Sequence, residues 1–312
     1  MRTAAEKDLP LWKRLWIYQG ERIPLIKTSV LLSVFSAASI NVSALLADRD
    51  LPGWSAYLTA FAISLILFIQ LRACDEHKDG PDDHKYRPER PIPRGLVSLR
   101  TVLTIGAVLV PLAIIISLAY YPPVLVLLAV IWLWLALMTV EFFVPDWIKA
   151  RPWIYLVSHM AIMPLLDLFV TGVEWLPAGY TPEPALAFFL ILSFVNGCVL
   201  EIGRKTWAPE NERDGVETYS GLWGVKKAAN IWLATVTLSF MCLAAVGTST
   251  GHFWSTMLPA SAMLAVCWYT GATMRSSPTD KRQKLLDTVA GLWVFVCYTA
   301  AGFAPLVGSW MS

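Results

Sequence analysis

Residues 75–97 read DEHKDGPDDHKYRPERPIPRGLV, and this stretch decides how the rest of the chain is interpreted. Asp75, Asp79 and Asp83 recur at intervals of four, so a helix through them would present three carboxylates on one face. Like charges at this spacing destabilise a helix unless cations lie among them. Basic residues are interleaved with these acids or follow them: Lys78, Lys85, Arg87, Arg90 and Arg94. Carboxylates suit a hard cation and Arg or Lys suits phosphate oxygens, so the composition favours a magnesium diphosphate.

The overall composition predicts an all-α, polytopic membrane protein. The chain is 56% hydrophobic and 15% charged, with a mean hydropathy of +0.54, which is too apolar for a soluble domain of 312 residues. Apolar runs with about the twenty residues needed to cross a bilayer lie at 25–47, 54–74, 99–119, 122–143, 153–173, 184–203, 228–248, 253–273 and 285–309. We therefore expect a helical bundle of about nine transmembrane helices.

The distribution of basic residues predicts how the bundle is oriented. If the N-terminus is cytoplasmic, the connections 75–98, 144–152, 204–227 and 274–284 all lie inside, and every Lys and Arg except Arg49 falls on that side. We expect a bacterial inner membrane, with the N-terminus and the charged loops in the cytoplasm.

The first residues divide from the bundle. Residues 1–24 alternate basic residues with apolar ones, and Trp12 and Trp16 lie four apart, as in a helix at the membrane interface. A solvated basic tail is the alternative. The bundle itself is predicted to occupy 25–312.

The loop after the sixth span repeats the mixture of acids and cations. Glu201 and Lys205 share a helix face, and Glu210 and Asp214 restore the four-residue spacing further on. A single acidic loop is most often merely solvated. Two such loops, both starting at a helix end on the same side of the membrane, predict one metal-diphosphate site between them.

The first acidic stretch resembles the NDxxDxxxD signature of the UbiA superfamily of intramembrane prenyltransferases. All four acidic positions match in spacing, with Asp75 in place of the usual Asn and Glu76 in place of the following Asp. The RPxxxG motif of that family is similar to Arg87-x-x-Arg90-Pro91-x-Pro93-x-Gly95. The family also has nine transmembrane helices, with Asp-rich motifs after the second and the sixth.

The resemblance implies that Mg²⁺ between the loops 75–98 and 204–227 neutralises a prenyl diphosphate, whose allylic C–O bond then ionises. Under this resemblance the metal ligands are Asp75, Glu76, Asp79, Asp83, Glu201, Glu210 and Asp214. The catalytic residues are Asp75, Asp79, Asp83, Glu201 and Asp214. The diphosphate-binding residues are Arg87, Arg90, Lys149, Arg204 and Lys205.

Three functions are compatible with these residues. The first is transfer of a prenyl group to a lipophilic or aromatic acceptor, and the second is cyclisation without an acceptor by a UbiA-type terpene cyclase. The third is a cation transporter, but transporters usually place ionisable residues near the bilayer midplane, whereas these cluster at one face. The expected partners are a prenyl diphosphate, a lipophilic acceptor in the first case, and membrane lipid, with no nucleic acid.

Five polar residues within the predicted spans are notable because buried polar groups in a membrane tend to be functional or paired: Asn41, Glu141, His159, Asp167 and Asn196. Asp167 is the most notable of the five and lies deep in its span. It is expected either to accept a proton or orient an acceptor, or to form a hydrogen bond between helices. Glu141, near the end of its span, could instead lie at the interface.

Overall fold

The computed structural model describes residue 6 and residues 8–310, with side chains as far as Val307; residues 1–5 and 7 of the predicted interfacial segment and residues 311–312 of the predicted bundle lie outside this part. The helices in chain order are α1 (Leu11–Arg22), α2 (Leu25–Leu46), α3 (Trp54–Lys78), α4 (Gly80–Tyr86), α5 (Leu99–Tyr120), α6 (Val124–Thr139), α7 (Pro145–Lys149), α8 (Pro152–Met160), α9 (Ile162–Trp175), α10 (Leu186–Arg204), α11 (Tyr219–Trp223), α12 (Val225–Ser249), α13 (Phe253–Ser276), α14 (Asp280–Gly302) and α15 (Ala304–Trp310).

A helix occupies the place of every predicted span, which confirms the all-α membrane bundle. Within the described residues, seven helical segments are long and apolar enough to cross a membrane, with α8 and α9 counted together. The fourth span, α6, is apolar but has only 16 residues. The eighth span, α13, has 24 residues and is not among the seven.

Three helix boundaries differ from the sequence prediction. Helix α3 continues past residue 74 to Lys78, so the first acid of the quoted stretch lies on the helix. Helix α6 ends at Thr139 because Glu141, Phe142 and Phe143 have φ values of 48°, 52° and 62°, which a right-handed helix does not contain. The last span is broken at Phe303.

The long helices pack in a closed arrangement. Helix α2 contacts α3, α9 and α14, while α12 contacts α10 and α13. The approach of α2 to α14 is close, because a β-carbon built on Gly302 would lie 2.5 Å from Cα of Ala38. Small residues at such crossings let membrane helices approach one another. The buried indole of Trp293 is hydrogen-bonded as well: its Nε1 donates to Ser239 Oγ at 2.9 Å.

Helix α1 lies against the first charged loop. One side packs Tyr18 against Leu96 and Val97, while Trp12 and Trp16 remain exposed. The helix predicted in this segment is confirmed, and its position at the membrane interface stays a prediction.

The opposite end of the bundle is closed by an ion pair. Arg49 donates from Nε and Nη2 to the carboxylate of Glu174 at 2.7 and 2.8 Å, and Ser43 Oγ donates to the same group at 2.8 Å. The Arg49 guanidinium also lies 5.1 Å from the ring of Tyr180. Arg49, the one basic residue that the sequence places on the opposite side from the others, is therefore neutralised by Glu174.

Candidate active site

A cavity of about 1240 Å³ opens between the two charged loops. Among the described residues, eight acidic and eight basic side chains line it: Glu21, Asp75, Asp79, Asp82, Asp83, Glu141, Glu201 and Glu217, and Arg22, Arg72, Lys78, Arg87, Arg90, Lys149, Arg204 and Lys205. One to two helical turns below the acids, the wall becomes apolar, with Phe68 and Leu71 from α3 and Phe35 from α2. The cavity therefore joins a charged mouth to an apolar interior.

The first acidic stretch is positioned by two nearly continuous helices. The backbone N–H of Asp79 donates to the carbonyl of Asp75, and that of Asp83 to the carbonyl of Asp79, both at 2.8 Å, so helical turns persist across the junction of α3 and α4. All three carboxylates line the cavity, as the four-residue spacing predicts.

The three carboxylates differ in their partners. Asp83 is buried and accepts from Arg87 at 3.3 Å and from Arg90 at 2.5 Å. Burial, together with the adjacent Arg90 charge, lowers the pKa of Arg87. Asp75 lies 3.5 Å from Arg72, and no described residue forms an ion pair with Asp79. Asp83 therefore anchors two arginines, while Asp75 and Asp79 remain more open to a ligand.

The second loop presents cations in the same way. Glu201, at the end of α10, is buried and is bound by Arg204 and by Lys205, the latter at 2.9 Å. The Lys205 ammonium also lies 5.5 Å from the ring of Tyr155 and 6.0 Å from that of Tyr219. The predicted pairing of Glu201 with Lys205 on one helix face is present, and it fixes both cations at the cavity.

Three residues predicted as metal ligands do not line the cavity. Glu76 follows Asp75 by one residue, about 100° around the helix, and accepts from Arg22 and Tyr18 of α1. Glu210 accepts from the backbone N–H of Asp280 at 2.6 Å, so its turn is held against α14. Asp214 is exposed beside the cavity without lining it.

The remaining predicted residues are brought together. Arg87, Arg90, Lys149, Arg204 and Lys205 all line the cavity, although they come from three separate connections.

Sequence reasoning did not select several other cavity residues. Arg72 and Lys78 are spaced three residues from Asp75 on the same helix, so helix geometry was an available signal. Glu217, in the second charged loop, was not selected either, and nothing local in the sequence indicated Tyr155.

A buried pair lies on the wall formed by α8 and the turn after α6. Glu141 and His159 line the cavity, with Oε2 and Nε2 separated by 3.4 Å. Lys78 Nζ is 3.7 Å from Glu141 Oε1 and donates to Tyr155 Oη at 2.8 Å. Burial alone would raise the pKa of Glu141, but His159 and Lys78 together lower it. Glu141 is thus an enclosed carboxylate that faces the cavity.

The deeper carboxylate, Asp167, forms the interhelical hydrogen bonds that were one of its two predicted roles. It accepts from Ser39 Oγ and from Tyr298 Oη, both at 2.6 Å, and it is fully buried. Tyr298 in turn lines the cavity, so Asp167 orients part of its floor.

The donor set is suitable for a magnesium ion that also binds substrate. Among residue 6 and residues 8–310, no three His, Cys, Asp or Glu side chains are grouped closely enough to hold a metal by themselves. Mg²⁺ usually takes only one or two protein carboxylates and completes its shell with water and substrate phosphates. Asp75 and Asp79 supply such a pair at the mouth.

The comparisons with known proteins agree with this architecture. Comparison with curated proteins gives no match. A solved structure described as that of a digeranylgeranylglyceryl phosphate synthase is similar in fold, with a TM-score of 0.62 at 16% identity, covering 95% of this chain and 99% of that one. The model of the UbiA prenyltransferase family matches residues 32–296. Because that match spans most of the chain, this protein belongs to the UbiA prenyltransferase family.

Proposed function

We propose that this protein is a Mg²⁺-dependent intramembrane prenyltransferase that ionises a prenyl diphosphate and transfers the prenyl group to a lipophilic or aromatic acceptor. The observation that carries the proposal is a cavity that combines a charged mouth with an apolar interior. A prenyl diphosphate has the same division into a charged head and an apolar chain.

The cations at the mouth would bind the diphosphate oxygens. Glu201 holds Arg204 and Lys205 in place, so their side chains are already ordered before substrate arrives. Such preorganised charge is most effective where negative charge develops, and here it develops on the departing diphosphate. Arg87 and Arg90 would act from the opposite loop, anchored by Asp83.

Asp75 and Asp79 would hold Mg²⁺, and Glu217 of the second loop lines the same cavity. The bound ion would neutralise the diphosphate and so favour cleavage of the allylic C–O bond.

The apolar part of the cavity would enclose the prenyl chain. Phe35, Phe68, Phe295 and Tyr298 contribute aromatic faces to its lining. An aromatic ring attracts a cation through its quadrupole without offering a nucleophile, so these rings would shelter the allylic cation from water.

The membrane placement follows from the charge asymmetry. The charged loops and the cavity mouth share one end of the bundle, and the short connections with Arg49 and Glu174 share the other. In the proposed orientation, the cavity mouth faces the cytoplasmic side of a bacterial inner membrane.

The first experiment is turnover of geranyl, farnesyl and geranylgeranyl diphosphates by the purified protein with Mg²⁺, measuring diphosphate release and organic products. Two acceptor probes are added separately: 4-hydroxybenzoate, which is aromatic, and geranylgeranylglyceryl phosphate, a lipid alcohol suggested by the name of the structural neighbour. Prenylated acceptor, lost on chelation with EDTA and regained with Mg²⁺, is the expected result.

Two other outcomes discriminate between functions. A cyclic hydrocarbon formed without acceptor would establish the terpene cyclase instead. A protein that neither binds nor turns over any of the three diphosphates would refute both enzymatic functions.

A further inference from the structure

Glu141 and His159 form a polar pair that the ionisation step does not use. Each residue is 5% exposed, and both line the cavity. Their separation of 3.4 Å is longer than an ordinary N–H···O hydrogen bond. Within the described part of the chain, both carboxylate oxygens of Glu141 and Nε2 of His159 have no hydrogen-bond partner. Two buried groups that can accept a proton thus converge with their capacity unused.

The backbone fixes the proton on the other nitrogen of His159. Its Nδ1 lies 2.9 Å from the carbonyl oxygen of Tyr155. A carbonyl oxygen only accepts hydrogen bonds, so Nδ1 must donate. In the neutral imidazole, Nε2 then carries a lone pair, 3.4 Å from Oε2 of Glu141. A proton on Nε2 would replace the repulsion between these two lone-pair groups by an attraction, which favours Nε2 as a proton acceptor.

An unusual turn holds Glu141 in this position. Glu141, Phe142 and Phe143 all have positive φ, a conformation that residues other than glycine rarely adopt and that persists where the surroundings impose it. The Phe142 ring packs edge-on against His159 at 6.1 Å and against Trp134 at 5.4 Å. The imidazole therefore contacts both the carboxylate and the turn that presents it.

The groups around the pair keep Glu141 ionised. Lys78 approaches it from α3, Lys149 from α7, and Tyr155 stacks on the imidazole at 3.9 Å. A carboxylate already surrounded by cations has little tendency to take the proton itself. The ionised Glu141 would instead stabilise an imidazolium formed at His159.

Resting on the proposed function, we infer that Glu141 and His159 form a proton-accepting subsite for an acceptor whose nucleophile is a hydroxyl group. His159 is the base that receives the hydroxyl proton. Glu141 pairs with the resulting imidazolium.

The step balances without any additional reactant. The allylic C–O bond breaks and its electron pair leaves with the diphosphate. The acceptor oxygen forms the new bond to the allylic carbon, and its proton passes to His159 Nε2. The products are a prenyl ether, diphosphate and a protonated imidazole, which releases its proton to water at the cavity mouth.

The test measures a partition ratio, the amount of prenyl ether formed per diphosphate released. Wild type, Glu141→Gln and His159→Gln are compared with geranylgeranyl diphosphate, Mg²⁺ and geranylgeranylglyceryl phosphate as the alcohol probe. We expect the ratio to fall about 10²-fold in each variant, the usual contribution of a positioned base, with geranylgeraniol formed instead of ether. His252→Gln is the matched control, since His252 lies in the connection between α12 and α13 and does not line the cavity.

Chemical rescue separates a proton-accepting role from a structural one. His159→Ala should regain ether formation when imidazole is added, because the cavity is open to small molecules. Mg²⁺-dependent binding of geranylgeranyl diphosphate reports that each variant is folded. Absence of diphosphate release by the wild type would defeat the proposed function itself. Ether formation with an unchanged ratio in both variants, or diphosphate release with no ether from the alcohol, would overturn only the subsite.

Discussion

The ring of Tyr86 lies directly against the α-carbon of Gly215: a β-carbon built on Gly215 would be 2.2 Å from Cε1 of Tyr86. Tyr86 ends α4 in the first charged loop, and Gly215 belongs to the second. Gly215 also has a φ of +74°, which disfavours any side chain. The two loops therefore meet at a contact that only glycine fits.

Gly215→Ala should separate the two loops and raise the KM for a prenyl diphosphate at least about tenfold, equivalent to about 1.4 kcal/mol. Steady-state kinetics measure this change. Gly224→Ala is the matched control, because Gly224 has a φ of +79° with no atom within 4 Å of its added β-carbon. An equal effect from both substitutions would show that backbone strain, and not the contact with Tyr86, is responsible.

Asp79→Asn should lower kcat/KM by about 10² or more and raise the Mg²⁺ concentration needed for half-maximal activity, since an amide lacks the charge that binds the ion. Asp214→Asn should leave both quantities near wild type, because that carboxylate lies outside the cavity lining. Titrations of activity with Mg²⁺ compare the two. Equal sensitivity in the two variants would contradict the placement of the metal site.

Lys205→Met should weaken binding of the diphosphate and leave Glu201 with one cation fewer. We expect a KM increase of about tenfold or more, together with a lower Tm, because a buried carboxylate that loses a partner is costly. Arg151→Met is the control, since Arg151 is exposed, rests on the ring of Trp147 and does not line the cavity. A Lys205 variant with wild-type KM would remove that residue from the binding set.

Glu141 should stabilise the fold in a pH-dependent way. Its pKa is lowered in the folded state, so the stabilisation is complete above the unfolded pKa of about 4.3 and is lost as the pH falls through the folded value. The difference in Tm between wild type and Glu141→Gln should therefore shrink between about pH 6 and about pH 3. A difference that stays constant over this range would contradict an ionised Glu141.

Gly291 offers a way to shorten the cavity. It lines the cavity, and a β-carbon added there meets no atom within 4 Å. Gly291→Phe should therefore project into the space for the prenyl chain and shift the kcat/KM ratio toward geranyl diphosphate over geranylgeranyl diphosphate. Gly53→Phe, equally unobstructed and away from the cavity, should not change the ratio. Unchanged selectivity in the Gly291 variant would place the chain elsewhere.

The sequence predicted those parts of the site that depend on local periodicity. The row of Asp75, Asp79 and Asp83 follows from helix geometry, and so does the pairing of Glu201 with Lys205. These residues occupy the predicted faces because hydrogen bonds between successive turns fix their relative positions.

The partners of the other acids come from distant parts of the chain. Glu76 is bound by Arg22, 54 positions away, and Glu210 is held by Asp280, 70 positions away. The left-handed turn that places Glu141 beside His159 contains no glycine to indicate it. Composition and spacing carry no information on such tertiary choices.

Equal numbers of acidic and basic side chains line the cavity, so it is electrically balanced when empty. A lone diphosphate would bring an excess of negative charge into this enclosed space, and a lone magnesium ion would bring an excess of positive charge. Under the proposed function, the cavity therefore favours a ligand whose total charge is close to zero. The prenyl diphosphate and Mg²⁺ should bind together as one complex. Their apparent affinities should then rise together, each ligand tightening the other by the same factor.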